Sequence, residues 1–284
     1  MLSLGLIGLH IAHSRAPALI SLLGELSGLP VTYRLYEPDD ASPDAFARTL
    51  QSVRAQGLVG CNVTYPFKQI ALRHVQVIPP SVATLGAVNT LHFQNANISA
   101  TNTDYSGFIR GFQARFPNQA AGSVVMLGAG GVGRAVGFGL QAIGAQEVAI
   151  YDVNTVMADD LVQALTMTGL TARRLSAEEV QFAAHQADGL INCTPIGHDK
   201  TPGNPLPPEC FVGQRWVFDA VYVPLDTDFL LMAAAHGSHV MSGFDLFLYQ
   251  GLDAFTVWTG VTIDPSIARR AFQTQYSLHS AFIS

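Results

Sequence analysis

A chain of 284 residues, 49% of them apolar, holds enough material for one large core or two domains of ordinary size, which excludes a small or disordered protein. Charged residues make up 13% and mean hydropathy is +0.27, yet charge, Gly, Pro or His interrupts every long apolar stretch short of a membrane span, so the sequence reads as soluble. The formal net charge is -6, with basic residues dispersed and no run longer than the pairs Arg173-Arg174 and Arg269-Arg270, which argues against nucleic acid as a partner.

The first residues, Met1 to Gly8, have no basic flank or small-residue cleavage site and read as a buried strand, so a cytoplasmic protein is expected. Cys61, Cys193 and Cys210 are far apart and have no close Cys or His partners. They suit a reducing compartment, and no metal site is expected.

In chain order, a strand to Gly8 precedes a helix from Pro17 to Gly28, a strand over 31–36, a helix over 43–55 and a strand through 58–64. That alternation is βαβ grammar. Two further strands, 87–93 and 98–103, joined by a turn at Asn95-Ala96-Asn97, are expected to edge the same sheet. A helix over 105–116 and a polar linker over 117–122 lead to a new strand at Ser123. Strands at 147–151, 189–194 and 216–221 then alternate with helices, as a doubly wound sheet requires, and the tail from Phe244 is mostly helical.

Ser123 to Leu127 reads as a strand running into Gly128-Ala129-Gly130-Gly131-Val132-Gly133, with a helix from Arg134 to Ile143 and Gly144 as its cap. In that context the first glycine allows the tight turn, the second lets backbone N–H groups approach a pyrophosphate, and the third lets helix and strand pack closely. The competing reading is a plain strand-to-helix turn beside a capping acid. Asp152 ends the next strand about 20 residues on, where a carboxylate accepts from adenosine ribose hydroxyls and repels a 2'-phosphate. Val153 and Asn154 supply no cation to offset that repulsion, so NAD is expected over NADP.

Hydride transfer from an alcohol also needs a group to take the hydroxyl proton. Lys68 is a candidate: it follows the strand ending Asn62-Val63-Thr64 and the turn Tyr65-Pro66-Phe67, and the only other lysine is Lys200. An ammonium is tunable as an acid or base where a guanidinium is not; the alternative is an ordinary lysine at a helix start. Asp104 either caps a helix starting at Tyr105 or pairs with Lys68.

Several of these motifs, in order, resemble the shikimate and quinate dehydrogenases. They are Ile7-Gly8-Leu9-His10-Ile11-Ala12-His13-Ser14-Arg15-Ala16-Pro17, Asn62 to Lys68, Gly86-Ala87-Val88-Asn89-Thr90, Asn102-Thr103-Asp104 and the Gly-rich turn. Ile191 to Gly197, Asp219 to Pro224, Gln250 and Trp258-Thr259-Gly260 extend the likeness over nearly the whole chain. The resemblance implies an α/β protein of two domains. An N-terminal α/β substrate domain (1–104 plus 244–284) and a Rossmann-type doubly wound dinucleotide domain (105–243) would flank an active-site cleft.

It also implies reversible oxidation of the 3-hydroxyl of shikimate or quinate to the 3-keto acid. Lys68 and Asp104 would be the catalytic pair, Ser14 and Tyr222 would hold the carboxylate, and Thr64, Asn89 and Gln250 would hold ring hydroxyls. Ala220 and Gly243 would lie near the nicotinamide, with Thr194 and Val153 completing the cofactor contacts. A hydroxylated cyclic acid is the expected partner, with neither nucleic acid nor membrane, and the chain is a monomer or homodimer.

Four places depart from the family pattern. Ala16 stands where members usually carry a second Ser or Thr: either it simply begins the helix, with Ser14 and Tyr222 sufficient, or Arg15 or a water substitutes, the substrate sits differently, or the acid is not shikimate. Asp152-Val153-Asn154 replaces the Asn-Arg-Thr of NADP-using members and is nearer to the NAD-using branch. His10 and His198 replace a common Pro and Met and read as polar lining, with the segment around Lys200 as a mobile loop. A divergent member acting on another cyclic hydroxy acid, and a non-catalytic dinucleotide sensor, are the competing functions.

Overall fold

The computed structural model describes residues 1–94 and 97–283. The chain forms two compact units, Met1–Ser106 with Leu248–Leu278, and Gly107–Phe247 with the residues after Leu278. These divisions fall a few residues from the expected ones. The end of the chain, expected with the first domain, groups with the second, where Arg115 Nη2 donates to the Phe282 carbonyl at 3.1 Å.

The first unit holds β1 (Leu2–Ile7), α1 (Ala16–Ser27), β2 (Val31–Tyr36), α2 (Pro43–Ala55), β3 (Gly60–Val63), α3 (Lys68–Ala71), α4 (Pro80–Leu85), β4 (Thr90–Gln94) and β5 (Asn97–Thr101). Its sheet runs β2-β1-β3-β4-β5, with β1 parallel to both neighbours and the last two pairings antiparallel. The two late strands thus edge the first sheet as expected; of the turn joining them, Asn95 and Ala96 lie outside the described residues.

Local chemistry sets these elements. Ser42 caps α2 by accepting from Ala45 N–H, and Ala45, Phe46, Leu50 and Val53 form its buried stripe. Phe46, Leu50 and Val53 of that stripe meet Ile7, Cys61, Val63, Phe67, Val88 and Leu91 in one core; each large apolar side chain so buried contributes about 1.5–3 kcal/mol. The short helices α3 and α4 lie in a stretch for which the sequence predicts no element.

α5 (Thr103–Arg115) leads into the second unit, which contains β6 (Gly122–Leu127), α6 (Gly131–Ala142), β7 (Ala145–Tyr151), α7 (Thr155–Met167), β8 (Thr171–Arg174), α8 (Ala177–Gln186), β9 (Gly189–Asn192), β10 (Trp216–Asp219), α9 (Asp228–Ala235) and β11 (His239–Met241). Six parallel strands run in the order β11-β10-β9-β6-β7-β8. This is the doubly wound arrangement predicted, with the order reversing at β6. The first helical turn of α6 begins three residues earlier than the sequence suggests, inside the glycine run.

α10 (Gly243–Thr259) carries the chain back into the first unit and α11 (Pro265–Gln275) completes it, giving the helical tail expected. Among the described residues no helix is long and apolar enough to cross a membrane.

Candidate active site

In the first unit the chain leaves β1 for β2 on one side and reaches β3 on the other, so the carboxyl ends of β1 and β3 form the place where a ligand settles in an α/β sheet. The two loops are stitched together there. Thr64 N–H donates to the Ile7 carbonyl at 2.9 Å, and Leu9 N–H to the Tyr65 carbonyl at 3.0 Å. The β1 loop ends at Ser14, whose Oγ accepts from Ala16 N–H at 3.2 Å, which leaves its hydroxyl proton for another acceptor.

Ala16 is the first residue of α1, with Arg15 at the cap position and no side-chain cap. His10 has a φ of 57°, a backbone region closed to the proline common at this position.

After β3, Phe67 is fully buried and stacks on Phe46 with ring centroids 5.2 Å apart. This anchor presents Lys68, the first residue of α3, so that its Nζ donates to Asp104 Oδ2 at 2.5 Å, with the two side chains only 13% and 11% exposed. The alternative role for Asp104 is taken by its neighbour. Asn102 Oδ1 accepts from Tyr105 N–H at 3.1 Å and caps α5, and Asp104 sits inside the first turn. Asn89 is buried just before β4, its Oδ1 accepting from Thr103 N–H at 2.7 Å. Gln250 lies half-buried on the part of α10 that belongs to this unit.

The second unit collects the other group. β6 lies between β7 and β9, and the turn after it faces the end of β9. Gly128 has a φ of 94°, and a Cβ there would stand 2.8 Å from the Cys193 backbone; one on Gly133 would stand 2.1 Å from the Gly128 carbonyl oxygen. Both glycines are therefore fixed by close approach. Gly130 differs: a Cβ there would meet nothing within 4 Å. Gly130 opens α6 with no side-chain cap, leaving first-turn N–H groups next to open space beside Gly131 and Val132.

Asp152 follows β7. Its Oδ2 accepts from Ala129 N–H at 2.7 Å and its Oδ1 from Asn154 N–H at 2.8 Å, while Val153 stands exposed beside it. An uncapped helix start, an open glycine and a carboxylate tied to the same turn fit a dinucleotide: backbone donors for phosphate, acceptor lone pairs for ribose.

Two strand ends complete this side. Asn192, ending β9, donates through Nδ2 to Asp219 Oδ1 at 2.9 Å, and its Oδ1 accepts from the Thr194 hydroxyl at 2.7 Å. Asp219, ending β10, also accepts from Val221 N–H at 3.0 Å and from the Thr227 hydroxyl at 2.6 Å. Burial pushes its carboxyl up to about 7 against the pull of those three hydrogen bonds.

The segment Ala220 to Val221 is held from the other side by Gly243, where a Cβ would stand 2.4 Å from the Ala220 carbonyl oxygen. Tyr222 follows, stacked on Phe247 at 4.9 Å. His198 Nδ1 accepts from Lys200 N–H at 3.1 Å, which fixes the tautomer of a neutral ring with its proton on Nε2.

The structure thus groups Ser14, Thr64, Lys68, Asn89, Asp104 and Gln250 in the first unit. Gly128 to Gly133, Asp152, Val153, Thr194, Ala220, Tyr222 and Gly243 belong to the second. The polar residues that orient them, Asn62, Thr90 and Asn102 in one unit and Asn192, Asp219 and Thr227 in the other, carry no expected role in the sequence reading. A polar residue closing an apolar strand, as Asn192 and Asp219 do, is the sequence signal for two of them.

A family model described as "Shikimate dehydrogenase substrate binding domain" matches residues 6–91. The chain is 34% identical to a shikimate dehydrogenase (NADP(+)) of Pseudarthrobacter chlorophenolicus, over 94% of this chain and 93% of that protein. A solved quinate dehydrogenase from Corynebacterium glutamicum in complex with NAD superimposes with a TM-score of 0.89 at 33% identity, covering 98% of this chain and 99% of that one. A shikimate 5-dehydrogenase from Thermus thermophilus in complex with NADP(H) and shikimate gives 0.83 at 33% identity, over 96% and 99%. On these similarities, and with its motifs spread over both units, the chain belongs to the shikimate and quinate dehydrogenase family.

Proposed function

We propose that this protein reversibly oxidises the 3-hydroxyl of shikimate or quinate to the 3-keto acid, with NAD as the preferred cofactor. The observation that carries the reading is the buried Lys68–Asp104 pair at the carboxyl edge of a sheet whose neighbouring loops supply Ser14, Thr64 and Asn89. A dinucleotide sensor has no use for that pair.

In oxidation Lys68 Nζ takes the hydroxyl proton, and in reduction it returns one to the ketone oxygen, with the Asp104 carboxylate holding the ammonium in place. Thr64, Asn89 and Gln250 hydrogen-bond the ring oxygens, and Ser14 and Tyr222 hold the carboxylate. The second unit holds the cofactor through the turn Gly128 to Gly133, Asp152, Val153, Thr194, Ala220 and Gly243; when bound, nicotinamide supplies the hydride acceptor. The preference for NAD rests on Asp152, a carboxylate whose chain neighbours Val153 and Asn154 supply no cation, at the position that would meet the adenosine ribose. The widely spaced cysteines Cys61, Cys193 and Cys210 suit the cytoplasm.

Steady-state rates with shikimate and quinate, each with NAD and NADP, test the reading. The expected result is turnover with at least one acid and a higher kcat/KM with NAD; a folded sample that turns over neither acid overturns the substrate assignment. Ala16 favours a second reading, a related cyclic hydroxy acid as the physiological substrate, because the carboxylate loop has lost one hydroxyl.

A further inference from the structure

Asn89 presents a fixed end of its amide. Its Oδ1 accepts three hydrogen bonds, from Thr103 N–H at 2.7 Å, the Thr103 hydroxyl at 3.1 Å and the Thr90 hydroxyl at 3.0 Å. A backbone N–H only donates, so the atom facing it is the amide oxygen and the NH2 group points the other way. Among the described residues that NH2 group has no hydrogen-bond partner, and its nitrogen is not sealed from solvent although the residue is 3% exposed.

The hydroxyl that holds Asn89 is itself held. Thr90 Oγ1 accepts from Asn62 Nδ2 at 3.0 Å, which commits its own proton to the oxygens on the Asn89 side. Asn62 is oriented at both ends: its Nδ2 also donates to the Asn89 carbonyl at 3.2 Å, and its Oδ1 accepts from the Tyr33 hydroxyl at 2.7 Å. Burial raises the Tyr33 phenol well above its ordinary range, so it remains a donor. Donation therefore runs one way, from Tyr33 through Asn62 and Thr90 to Asn89, among side chains that are all buried. Such a network holds its orientation because its groups other than the Asn89 NH2 are paired, and reversing one amide in it would leave buried groups facing like partners.

We propose that Asn62 and Thr90 are positioning residues that lock the Asn89 amide with its NH2 group toward the substrate, so that Asn89 offers the ring only hydrogen-bond donors. This rests on the reading that Asn89 meets the substrate ring. It selects an oxygen that accepts, a hydroxyl or a ketone, and it requires a hydroxyl held by Asn89 to send its own proton elsewhere. A ring bearing an ammonium at that position is rejected, because two donors would face each other.

The test is a double-mutant cycle on the full-length enzyme, with KM for the ring acid, KM for NAD, kcat and melting temperature measured for Thr90→Val, Thr90→Ser, Asn89→Ala and Asn89→Ala with Thr90→Val. Thr90→Val keeps the volume and deletes the hydroxyl. It is expected to raise KM for the ring acid roughly tenfold while leaving KM for NAD unchanged, and Thr90→Ser is expected to restore it. In the Asn89→Ala background Thr90→Val should add nothing further, because its effect passes through that amide.

An undiminished effect in that background, or a lower melting temperature with KM unmoved, overturns the proposal. If Asn89→Ala itself leaves KM for the ring acid unmoved, the substrate role of Asn89 fails and the proposal with it. Should Thr90→Val not fold, Thr90→Ala is read by the same criteria.

Discussion

Asn102 caps α5 through Tyr105 N–H, and that one hydrogen bond leaves the carboxylate of Asp104, two residues further on, for Lys68. An aspartate at a helix start satisfies orphan N–H groups when nothing else does. Here the asparagine does so, and its Nδ2 also ties the cap to the Ala87 carbonyl at 3.0 Å.

Lys68→Ala is therefore expected to lower kcat roughly 100- to 10,000-fold, the range for losing a positioned acid or base, with the dissociation constant for NAD unchanged because the cofactor residues lie in the other unit. Lys68→Arg should not rescue, since a guanidinium does not give up its proton. Single-turnover rates and fluorescence titration of NADH measure the two quantities. Turnover that survives Lys68→Ala would remove this lysine from the chemistry.

The proposed coenzyme choice rests on the two oxygens of Asp152. Each accepts from a backbone N–H, of Ala129 and of Asn154, so Asp152→Asn satisfies only one and should weaken the turn as well as relieve the charge. Asp152→Ser with Val153→Arg removes the repulsion and adds a cation. The ratio of kcat/KM with NADP to that with NAD should rise roughly 100-fold, about 3 kcal/mol. A ratio unchanged in that variant means that discrimination lies elsewhere.

Much of this was legible because the chain alternates apolar strands with helices that begin and end on Ser, Asp, Pro and Gly. The strand at 31–36 and the helix at 43–55 have the predicted bounds. What the sequence hides has physical causes. Lys68–Ala71 and Pro80–Leu85 are too short to show a helical period. β8 is an edge strand of sequence Thr-Ala-Arg-Arg, and β11 has three residues, so neither shows alternation. α6 starts inside a glycine run that propensity reads as loop. The residues proposed to contact ligand are readable as motifs, but several of the hydrogen bonds that orient them join positions 27 to 29 apart, as in Tyr33–Asn62 and Asn62–Thr90, and no local pattern encodes such pairs.

Ala16 gives a gain-of-function test. It begins α1, and its N–H is already turned to Ser14 Oγ. Ala16→Ser places a second hydroxyl on the same turn. If shikimate is the substrate, KM for it should fall about tenfold, as a hydrogen bond to a charged group is worth about 1.5–3 kcal/mol, with little change in melting temperature because the position is half-buried. Unchanged KM values for both shikimate and quinate would favour a different ring acid.

Asp219 makes the protein's stability depend on pH. Its carboxyl is fully buried, has no cation among its partners and is pushed up to about 7 from an ordinary value of 3.8. Below about pH 4 it holds its proton in the folded and unfolded states alike. Between there and about pH 7 the folded state keeps a proton that the unfolded chain has released, so stability falls as pH rises through this window and the slope ends above it. The loss attributable to this group is up to about 4 kcal/mol.

Asp219→Asn cannot ionise. It keeps an acceptor for Val221 N–H and Asn192 Nδ2, while the Thr227 hydroxyl turns from donor to acceptor. Any cost of that exchange is independent of pH. Urea unfolding of both proteins from pH 4.5 to 8 should therefore show the variant gaining on the parent as pH rises, and parallel curves would mean that the folded carboxyl titrates normally. The natural protein keeps an ionisable group there at the expense of stability near neutrality, at the strand end whose hydrogen bond to Val221 N–H fixes the backbone leading to Tyr222.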